Sequence, residues 1–275
     1  MQVKEILRTN YLAVSPDDLL SRVFGQMNRG KHTEAVVLDK KGKYAGMLWK
    51  RGLIRTRVNA AETKVRRFVT NPATLTPEIS LERTAELMHL SDFHVLPVLD
   101  KGKRLLGIAG ARDVLSLLQD KLGSLKAAEV GTMRLITLKD SDPIGSAVKL
   151  FYQQKIDRIP LVDAAGRLTG IVSLTDLLGK YLILSPRGGQ SGRKAKHGRT
   201  SRSGQDPGDR PDFDRLPVGN ISTRMVITAS PNARAQDIVK LIRDHGISDV
   251  VLVQNDIPVG IVTTKDLLFE VSRKP

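Results

Sequence analysis

Hydrophobic and polar positions follow the same order in four successive stretches of the chain. Each stretch begins with a short apolar strand that runs into a Ser/Pro-type turn, as in residues 12–16, which read LAVSP. An amphipathic helix comes next, then an apolar strand, a polar turn and a second strand headed by glycine. A closing helix completes the unit. The pattern therefore predicts four strand–helix–strand–strand–helix repeats.

The spacing of two kinds of anchor residue supports the repeats independently. The glycines at the heads of the second strands are Gly46, Gly107, Gly170 and Gly260, at intervals of 61, 63 and 90 residues. The residues that end the first turns are Pro16, Pro77, Asp140 and Pro231, at intervals of 61, 63 and 91. Because both anchors shift together, the last interval indicates an insertion between the third and fourth repeats.

The repeats predict domains at residues 1–60, 61–122, 123–185 and 216–275, with a linker at 186–215. Of the 30 linker residues, 12 are Gly, Ser or Pro, and eight Lys or Arg face four Asp, for a net charge of +4. Such a composition buries too little apolar surface to offset the entropy of ordering. We therefore expect the linker to be disordered and basic.

Composition narrows the classes of protein that remain. The chain has 275 residues, a net charge of +15 and no cysteine, which excludes disulfide frameworks, thiolate metal sites and cysteine nucleophiles. Five histidines lack metal-ligand spacing, and no paired catalytic residues are visible. No apolar run reaches the roughly 18 residues of a membrane span, and the first residues lack a signal sequence. We expect a cytoplasmic protein that is not an enzyme and holds no metal.

The third and fourth repeats end in the same motif, G-h-h-[ST]-x-x-D, where h is apolar. Residues 170–176 read GIVSLTD and residues 260–266 read GIVTTKD. Asp and the hydroxyl residue are favoured at helix starts, so helix capping is one interpretation. A carboxylate also accepts hydrogen bonds from both ribose hydroxyls, and a helix N-terminus favours phosphate. Nucleoside binding is therefore a second interpretation of the motif.

Four such units with this ending resemble the CBS domain (cystathionine β-synthase domain). The resemblance implies an α/β (α+β) fold whose repeats pair into two Bateman modules. Since no catalytic domain accompanies them, it also implies a regulatory protein, with a homodimer as its assembly. Its ligand would be of adenosine type (AMP, ADP, ATP or an S-adenosyl compound), bound in the clefts between paired repeats, with no further cofactor.

The resemblance also implies a set of ligand-binding residues. It groups Thr137 with Thr263 and Asp266, and Thr228 with Ser173 and Asp176. Adenine would lie against the apolar strand before each glycine, and a base at its start would face phosphate. The remaining residues of this set are Arg158, Ile159, Pro160, Val250, Lys265 and Asp113.

The first pair of repeats departs from the motif. Repeat 1 has Trp49 in place of the hydroxyl residue and Gly52 in place of the carboxylate. Repeat 2 keeps Asp113 but lacks the hydroxyl. We therefore expect ligand mainly in the second pair. Glu34 and Asp249, where bases would face phosphate, disfavour a triphosphate by like-charge repulsion.

The basic residues support a competing hypothesis. Residues 50–67 contain seven Lys or Arg and one acid, and together with the linker they would attract RNA, DNA or an acidic protein. Aromatic residues make up only 4% of the chain, and no base-stacking motif is visible. The alternative is therefore a nucleic-acid-associated protein with vestigial ligand sites.

Overall fold

The computed structural model describes residues 1–30, 32–50, 60–154, 156–177 and 213–273. Residues 186–212 of the predicted linker and residues 51–59 of the basic stretch lie outside these ranges. In the part of the chain that is described, no helix has the length and apolar character that crossing a membrane requires.

The described α-helices follow the predicted order. They are α1 (Leu20–Arg29), α2 (Leu81–Ser91), α3 (Ala111–Leu118), α4 (Ala127–Val130), α5 (Ile144–Gln153), α6 (Ala235–His245) and α7 (Thr264–Arg273). Residues 174–177 form a further helical turn. Short 3-10 helices occur at Val3–Ile6, Val65–Phe68, Gln119–Leu122, Phe213–Arg215 and Val218–Ile221.

The described strands form four small sheets, one per repeat. The sheet of repeat 1 has β1 (Ala13–Val14), β2 (Glu34–Leu38), β3 (Tyr44–Trp49) and, contributed by the start of repeat 2, β4 (Val69–Thr70); that of repeat 2 has β5 (Val95–Leu99) and β6 (Leu105–Gly110); that of repeat 3 has β7 (Leu138–Lys139), β8 (Arg158–Val162) and β9 (Leu168–Ser173); that of repeat 4 has β10 (Thr228–Ala229), β11 (Asp249–Gln254) and β12 (Ile257–Thr263).

Strand pairing is the same in every repeat. A lead strand runs parallel to the first strand of an antiparallel hairpin, as β1 does to β2, β7 to β8 and β10 to β11. In repeat 2 the lead strand is reduced to one parallel bridge between Leu75 and Val98. This mixed α/β architecture confirms the predicted repeats.

The segment ahead of each lead strand docks on the other repeat of its pair. Arg8 exchanges two backbone hydrogen bonds of 2.9 Å with Ile108 of repeat 2. Thr223, which precedes the lead strand of repeat 4, bonds in the same way to Ile171 of repeat 3. Because each sheet is completed by a neighbour's segment, repeats pair as 1 with 2 and 3 with 4. The two predicted modules are confirmed.

These exchanged segments account for the repeated glycines. A Cβ on Gly107 would lie 2.4 Å from the backbone oxygen of Arg8, and one on Gly170 would lie 3.1 Å from that of Thr223. The predicted position of the glycines at the heads of their strands is wrong, because Gly107 and Gly170 are the third residues of β6 and β9. They are required where another part of the backbone crosses the strand.

The apolar side chains of the described residues form three clusters. Repeats 1 and 3 each have a small core of their own. The largest cluster runs from repeat 2 into repeat 4 and includes Leu115 of α3 and Leu268 of α7, both almost without exposure. The two modules are therefore held together through the helices of repeats 2 and 4.

The predicted linker extends too far at its C-terminal end. Phe213–Arg215 forms a 3-10 helix, and Phe213 packs against the core of repeat 3. Phe213 is the only large apolar residue in the sequence of the predicted linker. These three residues belong to the segment that repeat 4 contributes to repeat 3.

Candidate functional site

Both complete motifs form a capping box at the start of a helix. The backbone N–H and the hydroxyl of Ser173 donate to Asp176 Oδ2 at 2.8 and 2.6 Å, and the Asp176 N–H donates back to the Ser173 hydroxyl at 3.2 Å. Thr263 and Asp266 repeat this arrangement at 2.8, 2.7 and 3.3 Å. The helix therefore begins after the hydroxyl residue, and the aspartate is its third residue.

Among the described residues, the boxes leave Oδ1 of each carboxylate without a hydrogen bond. The hydrogen bonds described for Asp176 and Asp266 all use Oδ2, and both residues are partly exposed. A carboxylate fixed in this way is already oriented and accepts further hydrogen bonds without new ordering cost. Capping and ligand binding are thus compatible uses of the same side chain.

In repeat 1 an aromatic side chain stands in place of the hydroxyl. Trp49 ends β3 opposite Glu34, and its ring lies 5.1 Å from that of Phe93 in repeat 2, measured between centroids. Phe93 is buried, so this aromatic pair joins the two repeats of the first module. Gly52 lies outside the described residues.

In repeat 2 the aspartate is bound by the exchanged segment. Arg8 Nη2 forms an ion pair with Asp113 Oδ1, and Asp113 Oδ2 is buried without a hydrogen-bond partner among the described residues. The matching position of the other three exchanged segments holds a threonine. These are Thr70, Thr132 and Thr223. The chain's own guanidinium therefore neutralises Asp113, which was predicted to bind ligand.

Arg158 and Asp249 form an ion pair between repeats 3 and 4. Arg158 lies opposite Ser173 on the neighbouring strand, and Asp249 lies opposite Thr263, so the pair stands between the two capping boxes. The Asp249 side chain is 10% exposed, and this burial raises the pKa of its carboxyl despite the nearby guanidinium. The structure shows this guanidinium held by a carboxylate, and the prediction that Arg158 faces phosphate stays a prediction.

The predicted adenine wall is part of the core. Ile159 and Val250 have 0% exposure, and Pro160 is also buried. Each lies on the middle strand of its sheet, where neighbouring strands and helices cover the side chains. Their assignment to the ligand site stays a prediction.

Lys265 belongs to the contact between the modules. Its ammonium pairs with Asp92 at the end of α2, and its carbonyl oxygen lies 3.3 Å from His89 Nδ1. On the other side of this contact, Arg112 of α3 approaches Gly246 at the end of α6. Basic residues of the closing helices thus reach across in both directions, and the role of Lys265 as a ligand contact stays a prediction.

A cavity of about 360 Å³ opens between repeats 3 and 4. Its lining includes Leu168 and Thr169 of repeat 3 and Arg224, Val226 and Thr228 of repeat 4. The hydroxyl of Thr169 is buried and has no hydrogen-bond partner among the described residues. Thr228 was predicted from the sequence. Thr169 was not predicted, because it belongs to none of the motifs. Thr137 is exposed and lies outside this lining.

The described part of the basic stretch is partly neutralised. Lys64 and Arg66 both form ion pairs with Asp17, and Arg67 lies over the ring of Phe68. Residues 51–59 and 186–212 lie outside the description, so the nucleic-acid hypothesis stays a prediction. In the residues that are described, no cluster of three or more His, Asp or Glu side chains is arranged to hold a metal ion.

A family model described as the CBS domain matches four stretches of the chain. They are residues 3–55, 65–120, 127–182 and 218–273.

Two relatives match along almost the whole chain. One is an uncharacterised 33.4 kDa protein in a ribosomal RNA operon of Thermofilum pendens, 26% identical over 95% of this chain and 88% of its own length. An uncharacterised protein of Methanocaldococcus jannaschii is 25% identical over 97% of this chain, which spans only 61% of that relative. An inosine-5'-monophosphate dehydrogenase of Bifidobacterium longum is 33% identical, but over 40% of this chain and 21% of the enzyme.

Two crystal structures share the complete fold. A Methanocaldococcus jannaschii protein described as a proposed archaeal homologue of g-AMPK has a TM-score of 0.77 at 18% identity, over 98% of this chain and 99% of that one. An uncharacterised conserved protein of Pyrococcus horikoshii has a TM-score of 0.64 at 19% identity, over 98% and 100%. At these identities the likeness concerns the fold alone.

Proposed function

The chain belongs to the CBS domain family, and we propose that it is a non-catalytic regulatory protein that binds an adenosine-type ligand between repeats 3 and 4. The observation that carries the proposal is the cavity between these repeats, whose lining includes Thr169 of repeat 3 and Thr228 of repeat 4. Its volume falls within the range of about 300–1,000 Å³ typical of small-molecule sites.

The capping boxes supply the chemistry for a ribose. A ribose presents two adjacent hydroxyls, and an ionised carboxylate accepts both in charge-assisted hydrogen bonds. Asp176 and Asp266 are held in place through Oδ2 by the backbone and hydroxyl of their caps. The first module differs, since Trp49 packs on Phe93 and Arg8 pairs with Asp113. These contacts support ligand binding in the second module and a structural role for the first.

Regulation would follow from the position of the cavity. One wall of the cavity comes from repeat 3 and the other from repeat 4. A ligand bound there therefore favours one relative arrangement of the two repeats. Repeat 4 carries α7, whose N-terminal turn holds Asp266 and whose Lys265 contacts repeat 2. A change at the capping box is therefore transmitted directly to the contact between modules.

The match to inosine-5'-monophosphate dehydrogenase does not point to catalysis in this chain. It covers 21% of that enzyme, and the proposal assigns this protein ligand binding without a chemical step. A partner protein would respond to the change in the relative arrangement of the repeats.

Calorimetric titration with adenosine and adenine nucleotides tests the proposal. Hydrogen bonds to a charged group contribute about 1.5–3 kcal/mol, so Asp176→Ala or Asp266→Ala is expected to weaken binding about 10- to 100-fold. Asp113→Ala is the matched control, because its carboxylate is already paired with Arg8. Loss of binding in the Asp113 variant alone, or no binding of any adenosine compound to the wild type, would contradict the proposal.

A further inference from the structure

The hairpin turns of the first module are strongly basic. Residues 39–43 read DKKGK and residues 100–104 read DKGKR, so these two turns hold six Lys or Arg and two Asp, for a net charge of +4. The corresponding turns of the second module, at residues 163–167 and 254–257, hold one Arg and two Asp, for a net charge of −1. The two modules share their strand pairing but differ in charge at these turns.

Both basic turns lie at the same end of the first module. The residues that flank them belong to one apolar cluster or pack against it. These are Leu38 and Tyr44 for repeat 1, and Leu99 and Leu105 for repeat 2. The corresponding turns meet directly in the second module, where the Leu168 N–H donates to the Asp256 carbonyl oxygen at 2.8 Å. Since both modules exchange segments in the same way, residues 39–43 and 100–104 form one surface, which we call the turn surface.

The turn surface faces away from the contact between the modules. In repeat 2, β6 runs from the turn to α3, and Arg112 at the start of α3 approaches Gly246 of repeat 4. The six residues of β6 span about 20 Å. The turn therefore lies at the opposite end of β6 from the second module, where a large partner has access.

The lysines of the turn surface lack ionic partners. Their side chains are exposed, and their ammonium groups form no ion pair among the described residues; these lysines are Lys40, Lys41, Lys43, Lys101 and Lys103. Both acids of the turns are already used. Asp39 Oδ1 accepts the backbone N–H groups of two turn lysines at 2.8 Å, and Asp100 accepts the backbone N–H and the guanidinium of Arg104. Five positive charges are thus left for an external anion to neutralise.

The residue types on the turn surface favour a phosphate backbone as that anion. Protein interfaces are anchored by aromatic, Met and Arg side chains and are depleted in Lys. Residues 39–43 and 100–104 contain no aromatic or aliphatic residue, so they offer neither a platform for stacking unpaired bases nor an anchor for a bilayer. Lysines bind the backbone of a duplex through charge alone, with release of counterions.

We propose that the turn surface binds the phosphate backbone of a nucleic-acid duplex without reading its base sequence. A cavity of about 390 Å³ beside the turn of repeat 1 extends this surface, since its lining includes Lys40 and Arg22 of α1, together with Asp18 and Asp39. Binding there requires no ligand in the second module. The lysines involved are also separate from the basic residues 50–67 and from the linker.

Fluorescence anisotropy of the full chain with a short labelled DNA duplex, at several salt concentrations, tests the turn surface. The test variant combines Lys40→Ala, Lys41→Ala, Lys101→Ala and Lys103→Asn. The first two changes give DAAGK, which matches the DAAGR turn of residues 163–167, and asparagine tolerates the φ of 61° found at Lys103. Duplex binding is expected to weaken at least about tenfold, and the slope of log affinity against log salt to become shallower by about 2–4.

Four exposed lysines elsewhere on the chain provide the matched control, because their removal lowers the net charge by the same amount. They are Lys4, Lys126, Lys139 and Lys149, each replaced by alanine. This control is expected to weaken binding much less and to keep the wild-type salt slope. Equal losses in the two variants overturn the proposal, and so does a wild-type chain that does not bind the duplex.

Arginine at the same four turn positions separates charge from folding. This variant keeps every positive charge, so it is expected to retain the affinity and the salt slope of the wild type. Loss of duplex binding in the arginine variant overturns the proposal. Phosphatidylserine vesicles and polyglutamate, at equal charge concentration, test a membrane and an acidic protein as partners. Tighter binding of either one than of the duplex, lost in the alanine variant, also overturns it.

Discussion

Replacement of Gly107 by alanine tests whether the exchanged segment is what requires glycine in each repeat. The backbone of Gly107 lies outside the left-handed region, so alanine meets no conformational strain there. The added Cβ would instead lie 2.4 Å from the Arg8 backbone oxygen and 2.9 Å from Leu7 Cδ1. Since real Cβ atoms do not approach backbone this closely, β6 or the segment carrying Arg8 must move.

The cost depends on how far the segment moves. If it shifts and stays bound, the penalty is that of overpacking, about 1–3 kcal/mol. If it leaves, the two hydrogen bonds between Arg8 and Ile108 are lost, and Val3 and Ile6, which are 0% and 9% exposed, enter water. Exposure of two such side chains costs about 1.5–3 kcal/mol each, or about 3–6 kcal/mol in total.

Urea unfolding measures the free energy, and hydrogen exchange of residues 2–8 shows whether the segment is released. Gly170→Ala is expected to destabilise less, because its Cβ would lie 3.1 Å from the nearest atoms. Gly25→Ala is the control: Gly25 lies within α1, its added Cβ would lie 3.4 Å from Arg29 Nη1, and the variant should be more stable by about 0.5–1 kcal/mol. If Gly107→Ala is as stable as the wild type, the explanation of the repeated glycine is refuted.

Two further predictions concern pH and proteolysis. Burial raises the pKa of Glu34, and this outweighs the hydrogen bonds from Thr33 and His94 and the charge of Arg112, which lower it. The folded chain therefore retains a proton that the unfolded chain releases, and the stability due to Glu34 falls as pH rises from mildly acidic through the raised pKa. Glu34→Gln should make the urea unfolding free energy less dependent on pH over that interval; an identical pH profile in variant and wild type would count against this. Trypsin cleavage within residues 186–212 should give two fragments that elute together, because residues 213–223 bind repeat 3; separate elution would argue against the exchanged segments.

The sequence alone determined the repeat, its order of elements and the difference between the two modules. These features are local: a helix or strand shows in the period of its apolar residues, and a capping box shows in Ser173 and Asp176, three positions apart. The anchor spacing then added the number of repeats and the place of the insertion. The presence of Trp49 in place of the hydroxyl residue of the motif can also be read directly from the sequence.

Only the tertiary structure decided what those residues contact. Arg158 and Asp249 are 91 residues apart, and Lys265 and Asp92 are 173 residues apart. No local sequence pattern therefore predicts either ion pair. The glycine of each repeat shows the same limit: its recurrence is visible in the sequence, but the backbone that crosses it comes from another repeat. Contacts of this kind depend on how the sheets exchange segments and pack, and the chain must be folded before they exist.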